Sequence, residues 1–227
     1  MKMKTLSMLA GVGAPLIATA TAPAGFLGIT VTGKANEFGL LVCNVYANFD
    51  RPGEDFMQAV AGTIDAPMLV QVIGGVFFNS GGGSNTAPSV YSIGNNPINA
   101  FDTFVTIGAK VSDPNNNLGD ATVITPGFPG LNGSQLSTNA SGWAVTPIDP
   151  QGDPWNADYG GPGNGSILIG QFSTLEGTAI SGTFLVQYVS NGVVGQSVVS
   201  FFHVPTPGAL ALLGTAGLIG ARRRRRS

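Results

Sequence analysis

Three sets of side chains in this 227-residue chain have the types and spacing to do chemistry. Trp143, Trp155 and Tyr159 share one polar stretch with Asp149, Asp153, Asn156 and Asp158. Indole and phenol rings can cover the apolar face of a sugar while carboxylates and amides bond its hydroxyls, so this set suits a saccharide. The same rings would equally pin a loop to a sheet with their N–H and O–H groups satisfied. Asp113, Asn115, Asn117 and Asp120 offer hard oxygen ligands at alternating positions, which Ca²⁺ prefers. As an EF-hand loop the run fails, because Leu118 stands where the turn glycine belongs and Ile124 where a bidentate glutamate belongs. That leaves either a Ca²⁺ site of another kind or a solvated Asp/Asn turn. The third set is the twelve acids from Glu37 to Glu176, any two of which could flank a glycosidic bond. Most are Asp beside Gly, Pro or Asn, where turn formation is the common role.

Other chemistries are poorly served. The single histidine, His203, and the single cysteine, Cys43, give no disulfide framework and no His- or Cys-rich metal cluster. A nucleophile needs a base within hydrogen-bond reach, and His203 stands at the end of the last strand-like run. Cys43 reads as a small buried residue of a strand. Between residues 25 and 204 three cations (Lys34, Arg51 and Lys110) face twelve acids, a net of −9. Nucleic-acid affinity comes largely from Lys and Arg displacing condensed counterions, so this body repels phosphate backbones and no nucleic-acid partner is expected.

These residues need a scaffold, and the pattern is that of strands. Charged residues are 10% of the chain, Gly contributes 34 and Pro 15, and little sustains a 3.6-residue period. Leu41–Tyr46, Met68–Phe78, Phe101–Ile107, Ser166–Thr174 and Thr183–Val189 are rich in β-branched and aromatic residues. Gly182–Ser190 and Val193–Phe202 flank Asn191-Gly192, a pair that accepts positive φ, and so predict a type I′ hairpin. One short helix is expected near Glu54–Val60. Gly81-Gly82-Gly83 marks a loop tip and no phosphate cradle, because no Lys-Ser/Thr follows. Residues 113–165 hold seven Pro and ten Gly, so they predict mostly loop with short strands such as Gly142–Thr146. The expected fold is all-β, an antiparallel β-sandwich or jelly-roll-like domain with long Gly/Pro/Asn loops.

Both ends read as addresses. Lys2 and Lys4 precede a short apolar stretch, Leu6–Ala18, and small residues follow at Ala18-Thr19-Ala20 and its neighbours, the three-part order of a secretory signal. At the other end Val204-Pro205-Thr206-Pro207 leads into an uncharged stretch from Gly208 to Ala221. Arg222, Arg223, Arg224, Arg225 and Arg226 follow, and such a cluster stays cytoplasmic and orients an apolar helix. A Pro-rich signature, an apolar helix and a terminal Arg cluster in this order resemble the PEP-CTERM sorting signal, with Thr206 where that family carries Glu.

The resemblance implies an exported protein that serves as substrate of an exosortase-type transpeptidase, held in the membrane by its C-terminal helix until cleavage. The organisation expected is a signal peptide over 1–24, an acidic β-domain over 25–203 and a sorting signal over 204–227, with helices at both termini. The expected role is non-enzymatic, structural or adhesive, at the cell surface or in the extracellular matrix. Its expected partners are the export machinery, the sorting enzyme and extracellular polysaccharide. A carbohydrate-binding module and a hydrolase with an unrecognised carboxylate pair are the two alternatives.

Overall fold

Asn191 and Gly192 take φ values of 50° and 74°, the left-handed pair that a type I′ turn requires. In the computed structural model, which describes residues 25–204 other than Gly82 and Gly160, this turn joins the two longest strands. In chain order the strands are β1 (Phe26–Ala35), β2 (Leu40–Phe49), β3 (Asp55–Ala61), β4 (Met68–Ile73), β5 (Phe104–Val105) and β6 (Val123–Ile124). β7 (Gln135–Thr138), β8 (Gly142–Ala144), β9 (Ser166–Leu175), β10 (Ala179–Ser190) and β11 (Val193–His203) complete them. All pairings between these strands are antiparallel, so the described chain is all-β. The expected signal and the sorting segment beyond Val204, with Pro205, Thr206, Pro207 and the five arginines, lie outside the described residues. Among the described residues no helix is long and apolar enough to cross a membrane.

One sheet has four strands in the order β1-β2-β9-β5. The other has seven and forks: β11 runs along β10 from Ile180–His203 to Ser190–Val193, while β4 pairs with residues 179–183 of β10 and β3 with residues 185–190. β7 extends the β4 arm, and β8 and β6 extend the β3 arm. Alternation decides which side chains meet between the sheets. Cys43, Val45, Ala47 and Phe49 of β2 are buried, as are Ile180, Phe184, Val186 and Tyr188 of β10, and both sets belong to one cluster. The two sheets therefore share a core, in the manner of a sandwich.

Two local expectations differ. In place of the helix expected near Glu54–Val60, Glu54 ends a turn and Asp55–Ala61 form β3. The register slips between Gln187 and Tyr188 opposite β3, a bulge that leaves the consecutive residues Met57 and Gln58 both buried, Met57 in the core and Gln58 accepting from Gln187 Nε2 at 3.2 Å. Burial at Asp55, Met57, Gln58 and Val60 then imitates a helical spacing. Within Phe101–Ile107 only Phe104–Val105 pairs as strand. Before it, Thr103 exchanges side-chain bonds with the Ser173 backbone and Asp102 holds Ser80; after it, Thr106 N and Gly108 N still donate to the Ile169 and Leu168 carbonyls of β9, outside a regular ladder. The only α-helix among the described residues is α1 (Val90–Asn95), started by Ser89, whose hydroxyl accepts the Ser92 N–H.

Candidate functional site

Outward-facing residues of the four-stranded sheet form a polar row. Across β1, β2 and β9 the register aligns Thr32 with Asn44 and Asn44 with Gln171. Further along the same face Leu168 and Phe104 are buried with Ala87 and Ala109 in a second small cluster, against which Tyr46 and Tyr159 pack. This cluster exists because residues 77–120 fold back over the far half of the face, tied down by Gln171, whose Nε2 donates to the carbonyls of Ala100 and Asp102 at 3.0 and 2.9 Å. The near half stays open. Between the β1–β2 hairpin and the overlying segment lies a groove of about 700 Å³.

Its polar wall comes from the hairpin. Asn36 sets the turn by accepting the N–H groups of Phe38 and Leu40 on Oδ1 at 3.0 and 3.1 Å. Its Nδ2, and Oδ1 of Asn44, are shielded from solvent and have no hydrogen-bond partner. Lys34 of β1 and Lys110 of the overlying segment both line the groove, and Glu37 is the one acid beside them. Phe101 closes one end, its ring tilted against that of Phe38 with centroids 5.6 Å apart. Tyr46 lies alongside; burial pushes its phenol above the usual value, and hydrogen bonding to Asn44 and Thr32 opposes that rise. A second depression, of about 340 Å³ over β3 and β8, carries no charged side chain.

The aromatic set of the 143–159 loop does not assemble. Trp143 is 1% exposed, its Nε1 donating to the Thr106 carbonyl at 2.9 Å, with Phe128 and Phe184 edge-on to it. As a saccharide contact it is corrected: pairing of β8 with β3 and β6 places the ring in the core. Trp155 packs half-buried on the main core, whereas Tyr159 packs on the small outer cluster. Burial, followed by Asp149 and Asp158, pushes the Tyr159 phenol up. The three rings thus belong to different environments.

The oxygen ligands of the 113–120 run are engaged within the chain. Asp113 caps a short helical turn, accepting from the Asn115 N–H at 3.1 Å and from Asn116 Nδ2 at 2.6 Å. Tyr91 donates its hydroxyl to Asn115 Oδ1, and Asn117 takes the left-handed conformation that ends the turn. Asp120 points elsewhere: it accepts from Ala87 N and Thr122 N, each at 3.0 Å, and from Gln151 Nε2 at 2.7 Å. These contacts are those of an Asx turn and a loop clamp. Among the described residues no group of three His, Cys, Asp or Glu side chains is placed to hold a metal ion.

Cys43 is fully buried, and burial pushes its thiol up to about 12, so no thiolate is available near neutral pH. His203 ends β11 and covers Gly33, where a Cβ would collide with the imidazole. The groove residues went unnoticed in the sequence because Lys34 and Lys110 are far apart in the chain. The available signal was the scarcity of cations, two of three of which converge here. No protein-family model, no curated protein and no solved structure matches the chain.

Proposed function

We propose that the protein is exported and acts at the cell surface or in the extracellular matrix in a non-enzymatic, structural or adhesive role. Its body in this reading is a sandwich of the jelly-roll-like kind, flanked by a removable signal helix and by a PEP-CTERM-like C-terminal helix. The observation that carries the structural role is how the aspartates are used. Six of the twelve acids, Asp55, Asp102, Asp113, Asp120, Asp149 and Asp153, each accept a backbone N–H, so half of the carboxylates on which hydrolytic chemistry could draw hold turns and loops in place. Export is supported by the partition of charge. Seven of the ten basic residues lie in the terminal segments, beside apolar stretches, while the body between them is acidic. A chain that crosses a bilayer and is then trimmed retains that acidic body alone, which suits a hydrated polymer environment.

Mass determination of the mature protein from its native host tests this reading. The expected product lacks the N-terminal signal and the segment beyond about Pro207. A full-length polypeptide recovered in solution from the cytosol would overturn it.

A further inference from the structure

We propose that the groove between the β1–β2 hairpin and residues 97–110 binds an acidic oligosaccharide. Lys34 and Lys110 hold its carboxylate, and Thr32, Asn36 and Asn44 bond its hydroxyls. The inference rests on the groove and stands whether or not the termini are removed.

Charge points to the carboxylate. Of the three cations in the described body, Arg51 answers Asp50 at 3.9 Å, at the opposite end of β2. Lys34 and Lys110 form no ion pair among the described residues, and both line this groove. Within the described body, of net −9, this is where an anion gains most, because repulsion from the acidic surface drives it toward the two unpaired lysines. With Glu37 included the groove has a net charge of +1, which fits one carboxylate per ligand residue better than a polyphosphate.

The remaining walls point to a sugar. Asn36 Nδ2 is a donor without an acceptor and Asn44 Oδ1 an acceptor without a donor; both residues line the groove, and rotation of each amide, closed to solvent in the free protein, brings it to a ligand. Leaving such groups unmet is costly, and a hydroxyl, which donates and accepts at once, relieves either. Phe101 adds one apolar ring, held in place by Phe38, for the C–H face of a pyranose. The volume of about 700 Å³ falls within the range of small-ligand sites.

Calorimetric titration of the full-length protein in a non-glycosidic detergent tests the proposal. The probes are α-1,4-trigalacturonate, its fully methyl-esterified form and tri-L-glutamate. The acid is expected to bind about tenfold more tightly than the ester, and added salt should erode that margin. Lys34→Gln and Lys110→Gln should each weaken acid binding by about five- to tenfold while leaving ester binding unchanged. Arg51→Gln removes the same charge outside the groove and should change nothing. Unaltered thermal melting of the lysine variants, whose side chains are exposed, shows that the fold is intact. Equal binding of acid and ester, an Arg51→Gln loss as large as the lysine losses, or no binding of the acid would each overturn the site. Tri-L-glutamate binding as tightly as the sugar would replace the saccharide with an acidic peptide added along β1.

Discussion

Gln151 donates from Nε2 to Oδ1 of Asp120 across 2.7 Å, and its Oε1 accepts the backbone N–H of Ala121 at the same distance. Nε2 also reaches Thr122 Oγ1 at 3.0 Å, and that hydroxyl accepts the Ile107 N–H, likewise at 3.0 Å. One side chain, 1% exposed, thus joins three stretches of a region too rich in Gly and Pro to order itself by ladder pairing. Asp149 presets it by accepting the Gln151 N–H at 2.9 Å. The order of the overlying loops, and with it the upper wall of the groove, depends on this buried polar network.

Replacing Gln151 by Leu keeps the volume and strands Asp120, Ala121 N–H and Thr122 in a buried setting. The expected loss is about 2–3 kcal/mol, read from urea unfolding. Asp149→Ala removes only the preset bond and a contact to Thr146, and should cost about 1 kcal/mol. A Gln151→Leu protein as stable as the parent would show that the network does not hold the loops.

Trp143 offers a second test of the buried loop. Trp143→Ala opens a core cavity and should cost about 3–5 kcal/mol, whereas Trp143→Phe loses mainly the bond to Thr106 and should cost about 1–2 kcal/mol. The chain has two tryptophans, so Trp155→Phe isolates Trp143 for fluorescence. Its emission should be blue-shifted and resistant to iodide. Ready quenching would place the ring at the surface and revive it as a ligand contact.

What the sequence revealed followed from short-range rules. Asn191-Gly192 fixed a hairpin because the turn chemistry sits in two adjacent residues, and Cys43 was legible because alternation around it is regular. Residues 54–60 were not, since the bulge that breaks their alternation is decided by β10, far along the chain. Trp143 was ambiguous for a similar reason: the same ring suits a sugar or a core, and pairing of β8 with β3 makes the choice. The groove was invisible, as it is built by residues 97–110 lying over a hairpin that carries no marker of its own.

Cys43 sets a pH prediction with a definite sign. Its thiol rises from 9.0 to about 12 on folding, so between those values the folded state holds a proton that the unfolded chain has lost. The stabilisation is fully present below about 9 and is lost as pH rises toward 12, giving a negative slope of stability against pH there. Cys43→Ala should reduce that slope and leave the value near pH 7 lower only by its packing cost. At pH 8, Ellman's reagent should label the thiol only as fast as the protein opens. Immediate labelling of the folded protein would contradict the burial.

Gly182 and Phe201 face each other across the β10–β11 ladder, and the benzyl ring lies over the glycine where a Cβ would otherwise stand. The ring also contacts Phe172 and Phe184, so the bare backbone lets an edge-strand side chain enter the core. Gly182→Ala forces that ring aside and should destabilise by about 1–3 kcal/mol. Gly94, in α1, has no atom within 4 Å of an added Cβ, and Gly94→Ala should be neutral or stabilising by up to about 1 kcal/mol. Reduced entropy of the unfolded chain acts at both glycines alike; a steric cause separates them. Combining Gly182→Ala with Phe201→Leu tests the cause directly, because the smaller side chain leaves room for the new methyl. The double variant should then be more stable than the sum of the single losses allows, by about 1 kcal/mol of coupling. Strict additivity would mean that the ring does not rest on the glycine.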